Sequence, residues 1–166
     1  MQLNINIILK QEDELKFVNN SPMENNLSII QKPILENNCL VGFMLISDIK
    51  QPFKVSFDLE REVLDINEFE PFVKDSYVFV KKITRITILE LLRNIAKDLV
   101  DSSYDQSDYL PVSEDYLDLE NDMNIVQLNF YKDDIVIDIL SQKKFPDMKI
   151  YCQVDHDLAI IDLGIV

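Results

Sequence analysis

The chain has 166 residues, with 16 Lys and Arg against 30 Asp and Glu, a formal charge of −14 at neutral pH. Apolar residues make up 47% of it, too many for a disordered acidic tail, which cannot bury enough surface to offset its ordering entropy. Only Gly42 and Gly164 are glycine, which excludes a phosphate-binding loop, a dinucleotide fingerprint and a glycine-rich nucleotide lid, since each needs clustered glycines.

One domain over residues 1–166 is expected, because halving this length leaves two small cores. Residues 1–9 carry no basic n-region and no small-residue cleavage site, and the longest apolar stretch, Leu40 to Ile46, is far below the ~20 residues of a bilayer span. A cytoplasmic protein without membrane contact is the expectation. Cys39 and Cys152 have no CxxC spacing and read as free thiols used as small apolar residues.

In chain order, Leu3, Ile5, Ile7 and Leu9 alternate as a strand with one buried face. Asn-Asn pairs at 19–20, 25–26 and 37–38 punctuate the chain after it, because Asn tolerates positive φ and closes turns with its side chain. Leu27–Gln31 reads as a short strand confined to an edge by Pro33. Leu40–Ile46, a continuous apolar run, reads as a central strand covered on both faces. Val55, Phe57 and Leu59 alternate with charged and small residues as a third strand. From Glu60 to Asp75 the chain is acidic and reads as irregular, with Pro71 against a helix through its middle.

A helix is predicted over about Ile88 to Asp101. Thr87 and Glu90 fit a capping box, and Ile88, Leu91, Leu92, Ile95 and Leu99 recur at spacings of three and four. The last forty or so residues read as a meander: Val126–Phe130, Ile135–Ile139, Met148–Val154 and Leu158–Ile165, with Asp155-His156-Asp157 as a tight turn. Together these elements predict an α+β fold: a mainly antiparallel sheet with a C-terminal meander and one principal amphipathic helix packed on one face.

The most unusual stretch is Asp98 to Tyr131, which contains nine acidic residues and no Lys, Arg or His. Tyr104, Tyr109 and Tyr116 fall inside it. Uncompensated carboxylates raise the on-rate of a cationic partner, and tyrosine supplies contact area at modest entropic cost. The plain alternative is a solvated loop with partly packed tyrosines. A connection of about 20 residues without secondary structure is uncommon unless it is functional or disordered. Asp105, Asp108, Tyr109, Glu114, Asp115, Tyr116 and Asp118 are therefore the candidate partner-binding residues.

Other chemistries find less support. The Asp105–Pro111 stretch lacks both the alternate ligand spacing and the glycine of a calcium loop, and a lone His156 cannot make a zinc site, so no metal and no cofactor are expected. Neither a G-x-S-x-G elbow nor a plausible Cys–His pair is present. With 30 acids, close carboxylate pairs arise by chance and do not identify a hydrolase. Lys81, Lys82 and Arg85 form the best basic cluster, too small for phosphate neutralisation, so nucleic acid is not an expected ligand.

Small size, strong acidity, few glycines and the absence of a catalytic motif resemble bacterial immunity proteins of contact-dependent and other polymorphic toxin systems. That resemblance implies a non-catalytic inhibitor that binds and neutralises a cognate toxin domain, often a basic nuclease, in the cytoplasm. It matches no motif, so no residue role is carried over from it. An adaptor or scaffold subunit of a secretion, phage or other multiprotein assembly is the alternative, and a carboxylate enzyme stands third.

Overall fold

A computed structural model describes residues 26–46, 48, 49 and 51–166. The predicted strand over Leu3–Leu9 and the Asn19-Asn20 pair lie outside the described residues.

Seven strands form one sheet in chain order: β1 (Ile30–Glu36), β2 (Cys39–Ile46), β3 (Gln51–Asp58), β4 (Met123–Phe130), β5 (Ile135–Ser141), β6 (Phe145–Val154) and β7 (Ile160–Ile165). Every neighbouring pair is antiparallel except β3–β4, which is parallel. Parallel neighbours need a long crossover, and here it holds all three α-helices: α1 (Glu70–Val80), α2 (Arg85–Tyr104) and α3 (Ser113–Asp122). The predicted α+β class and C-terminal meander are thus found, with three helices in place of one.

One face of the sheet carries the core. A register row runs Leu35–Leu40–Phe57–Phe130–Ile135–Val154–Ile160 across all seven strands. Phe57 stacks on Phe130 at 4.7 Å between centroids, and Phe72 and Phe79, both from α1, meet these two rings edge-on. Leu91, Leu92, Ile95, Ala96, Leu99 and Val100 supply the buried stripe of α2. On the opposite face the row Ile34–Val41–Ser56–Asn129–Val136–Gln153–Asp162 is mostly polar.

Several expectations are corrected. Pro71 starts α1 rather than breaking it, since a first-turn residue needs no amide donor. The preceding turn, Ile66–Phe69, is capped: Asp65 Oδ1 accepts from the Asn67 amide at 2.9 Å and Glu68 Oε1 from the Asp65 amide at 3.1 Å. The cap of α2 lies three residues before the predicted one. Thr84 is its N-cap, its hydroxyl accepting from the Thr87 amide at 3.1 Å while Thr87 Oγ1 accepts from the Thr84 amide at 2.8 Å. Glu90 takes no part in it. Leu27 belongs to a 3₁₀ turn, and the first strand starts at Ile30 and passes through Pro33 as an edge strand.

Among the described residues the Leu40–Ile46 run is second from the edge and covered on one face only, with Phe43 and Leu45 exposed. Gly42 in this strand is required, because the Ile30 side chain and the Gln31 carbonyl oxygen occupy the space a Cβ would take. Asn37 and Asn38 do close the β1–β2 turn, both at positive φ (50° and 64°).

By chain direction, the β2–β3 and β6–β7 turns leave opposite ends of the sheet. Both nevertheless reach the α1–α2 turn. Asp48 Oδ2 accepts from the Arg85 amide at 2.8 Å, and Lys82 Nζ sits 2.6 Å from Asp157 Oδ1. The α1–α2 turn is thus tied to both ends of the sheet.

Candidate functional site

The acidic stretch is not the long unstructured connection expected from the sequence. α2 continues to Tyr104, eight residues of turn and coil come next, and α3 occupies Ser113–Asp122. Its signals were present: Pro111 just before it, Glu114 and Asp115 in its first turn, and Tyr116, Leu119 and Met123 at helical spacing. Low hydrophobicity masked the period.

Local chemistry divides the predicted partner-binding residues into two groups. Asp115 is structural. Val112 has no capping side chain, so Asp115 Oδ2 accepts from the Val112 amide at 2.9 Å and closes the helix start in its place. The same oxygen accepts from the Tyr109 hydroxyl at 2.9 Å. Tyr109 in turn lies against Tyr104, with ring centroids 4.7 Å apart. Tyr116 is half-buried against the core, and its hydroxyl donates to Asp101 Oδ1 at 2.7 Å. Both phenols are held above their ordinary range, first by the hydrogen bond each gives to a carboxylate, which ionisation would lose.

The remaining members face solvent. Asp118 pairs with Lys144 at 3.4 Å across an exposed surface. Asp105, Asp108 and Glu114 are exposed and form no ion pair among the described residues. Folding therefore supplies cations that the linear stretch lacks: Lys97 lies 3.7 Å from Asp101 and Arg93 3.6 Å from Glu120. The negative surface is concentrated at the loop and the start of α3 rather than spread along the whole stretch.

Sequence reading missed the apolar part of this surface. Leu110 is 83% exposed, Leu117 54%, Val112 53% and Tyr109 46%, four uncovered large side chains in the same short segment of chain as Asp105, Asp108 and Glu114. Dehydrating such side chains is favourable, whereas loop residues kept only for solubility have no reason to be Leu or Val.

Asp122, the last acid of the run, is 9% exposed and belongs to the scaffold. Its Oδ2 accepts from Ser141 Oγ at 2.6 Å and from the Lys143 and Lys144 amides at 2.9 and 3.1 Å. Burial pushes its carboxyl up, but these three donors outweigh that and hold it below the ordinary range.

Of the residues weighed for catalysis, Cys152 lies on the core face of β6, and burial pushes its thiol up to about 12, the opposite of an activated nucleophile. His156 is exposed in the β6–β7 turn, where its carbonyl oxygen accepts from Lys82 Nζ at 2.8 Å. Asp155 closes that turn by accepting from the Asp157 and Ala159 amides. Cys39 is half-buried, and burial, with the nearby Asp58 carboxylate second, raises its thiol. Among the described residues, no group of three His, Cys, Asp or Glu side chains is arranged to hold a metal ion. No helix among them is long and apolar enough to cross a membrane.

No protein-family profile, curated protein or solved structure matches this chain.

Proposed function

We propose that this chain is a non-catalytic inhibitor, of the immunity-protein kind, which neutralises a basic protein by binding it at the α2–α3 connection. One observation carries the reading: Tyr109, Leu110, Val112 and Leu117 are exposed among the unpaired acids Asp105, Asp108 and Glu114. The two halves of that surface do different work. A charge of −14 steers a cationic partner at a rate that falls with salt, and the apolar side chains slow its escape once water is expelled. A nuclease domain suits the chemistry, because a protein that holds phosphates presents clustered Lys and Arg. Asp115, Tyr116 and Asp101 act behind this surface, fixing the start of α3 against the end of α2.

Capture from the native host tests this. Wild-type protein is expected to retain a protein rich in Lys and Arg, and the product of an adjacent toxin reading frame is the leading candidate. A variant with Asp105→Lys, Asp108→Lys and Glu114→Lys is expected to slow association by ~10-fold or more at low salt while folding normally, since none of the three has an ion pair to lose among the described residues. Unchanged association and unchanged salt dependence in that variant would overturn the proposal.

A further inference from the structure

An open sheet has two edges, and those of this sheet differ. β1 is blunted: Lys32 takes a positive φ of 51°, Pro33 has no amide to offer, and pairing with β2 shifts register between Gln31 and Ile34. β7 carries neither proline nor lysine. The Val166 amide and carbonyl just beyond it exchange both bonds with Lys149, at 2.9 and 2.8 Å. By the two-residue period of an antiparallel ladder, Asp162 and Gly164 also turn their backbone groups toward β6. Leu163 and Ile165 therefore point their amides and carbonyls outward, along an edge that no other strand covers among the described residues.

We infer that β7 is a self-association edge, pairing antiparallel with β7 of a second copy about a two-fold axis at Gly164. In that register Leu163 of one copy lies opposite Ile165 of the other, so each pair of outward-facing residues exchanges both of its hydrogen bonds. These two residues are only partly buried in the single chain, and pairing covers their core-side surface. Asp162 falls opposite Val166, so no two charged side chains are directly opposed. Gly164 meets Gly164 where the backbones approach most closely, and the Tyr151 ring that already occupies the place of its Cβ is carried to the axis from each side.

The chemistry of the edge selects a second copy over the cationic partner proposed above. Residues 160–166 carry a single charged side chain, Asp162, whose Oδ2 already accepts from the Tyr151 hydroxyl at 3.0 Å, so the strip gives a basic chain little to grip. Net charge works against association at low salt. Self-pairing therefore strengthens with salt, whereas capture of a basic protein weakens, and the two contacts are told apart by the sign of that dependence.

Sedimentation velocity of the full chain tests this, between ~10 μM and ~1 mM, because an edge contact falls short of the roughly 1,000 Å² of a stable interface and populates only at high concentration. Dimer is expected to grow with protein and with NaCl, and to be lost in Leu163→Pro, which removes an outward amide and spares the β6 ladder. The register has its own test in a Cys39→Ser background. Asp162→Cys with Val166→Cys places thiols at a close non-hydrogen-bonded pair, with Cα atoms about 4.5 Å apart, and is expected to give a disulfide-linked dimer under mild oxidation that neither single substitution gives. A monomer throughout with no such cross-link overturns the inference. A dimer that persists in Leu163→Pro also overturns it, because another surface would then hold the copies together.

Discussion

At the scale of single residues, Asp122 shows how one position decides whether a carboxylate serves the surface or the scaffold. Asp122 belongs to the same acidic run as Asp105 and Asp108, yet it holds Ser141 and two turn amides. Asp122→Ala removes the acceptor of three hydrogen bonds, one of them from the fully buried Ser141 hydroxyl, and is expected to cost about 2 kcal/mol, read as a lower urea midpoint. The loss depends on pH. The folded carboxyl lies below its ordinary value of 3.8, so its contribution is complete above that value and fades as pH falls through the lower folded one. The gap between wild type and Asp122→Ala is therefore expected to be full at about pH 7 and to shrink below about pH 4. Which acids do this was not legible in the sequence. Asp122 and Ser141 are 19 positions apart, and only the β4–β5 pairing, which sets Met123 opposite Ser141, brings them together.

At the scale of elements, helix starts separate what local chemistry specifies from what packing overrides. Both Thr84 and Thr87 are good N-cap residues, and Thr87 with Glu90 makes the better-looking capping box. Thr84 is the cap because starting there adds a turn to α2 and sets its first amide, that of Arg85, on Asp48 from the β2–β3 turn. Thr84→Ala is expected to lower stability by about 1 kcal/mol, with Glu90→Ala near neutral, in urea titrations of the two variants. The reverse order, Glu90→Ala costly and Thr84→Ala near neutral, would place the cap at Thr87. The strands were far easier to read. Ile135–Ile139 shows its alternation directly in burial, whereas in Val126–Phe130 a register shift between Ile125 and Gln127 leaves Val126 exposed and Asn129 buried beside Leu128 and Phe130. α1 and α3 were missed for different reasons. Pro71 lay in the first turn, where proline is favourable, and α3 buries only a narrow stripe between acidic residues.

On the scale of the whole molecule, charge and topology matter most. A net charge of −14 on a chain of this size opposes compactness, and the ion pairs Arg93–Glu120, Lys97–Asp101 and Lys144–Asp118 relieve only part of it. Raising NaCl from about 0.01 M to about 0.5 M, which shortens the screening length several-fold, is expected to raise the urea midpoint with an unchanged slope. A midpoint that falls with salt would mean that attractive pairs outweigh repulsion. The parallel β3–β4 pair is the main feature of connectivity that the predicted elements did not contain. Its crossover spans Leu59 to Asp122, a contact between distant parts of the chain that nothing in either strand announces.

By itself the sequence determined what depends on neighbours along the chain: the fold class, most strand positions, the Asn37-Asn38 turn, and a surplus of acid too large to cancel. Those features arise from side-chain period, turn chemistry and composition, all written within a few residues. Tertiary structure alone decided where α2 starts, which carboxylates are tied up by Tyr109, Tyr116, Ser141 and Lys144, and which apolar side chains stay uncovered beside the rest. Burial and pairing are properties of the folded surface, set by strands and helices that meet across long stretches of chain. No local pattern can carry them.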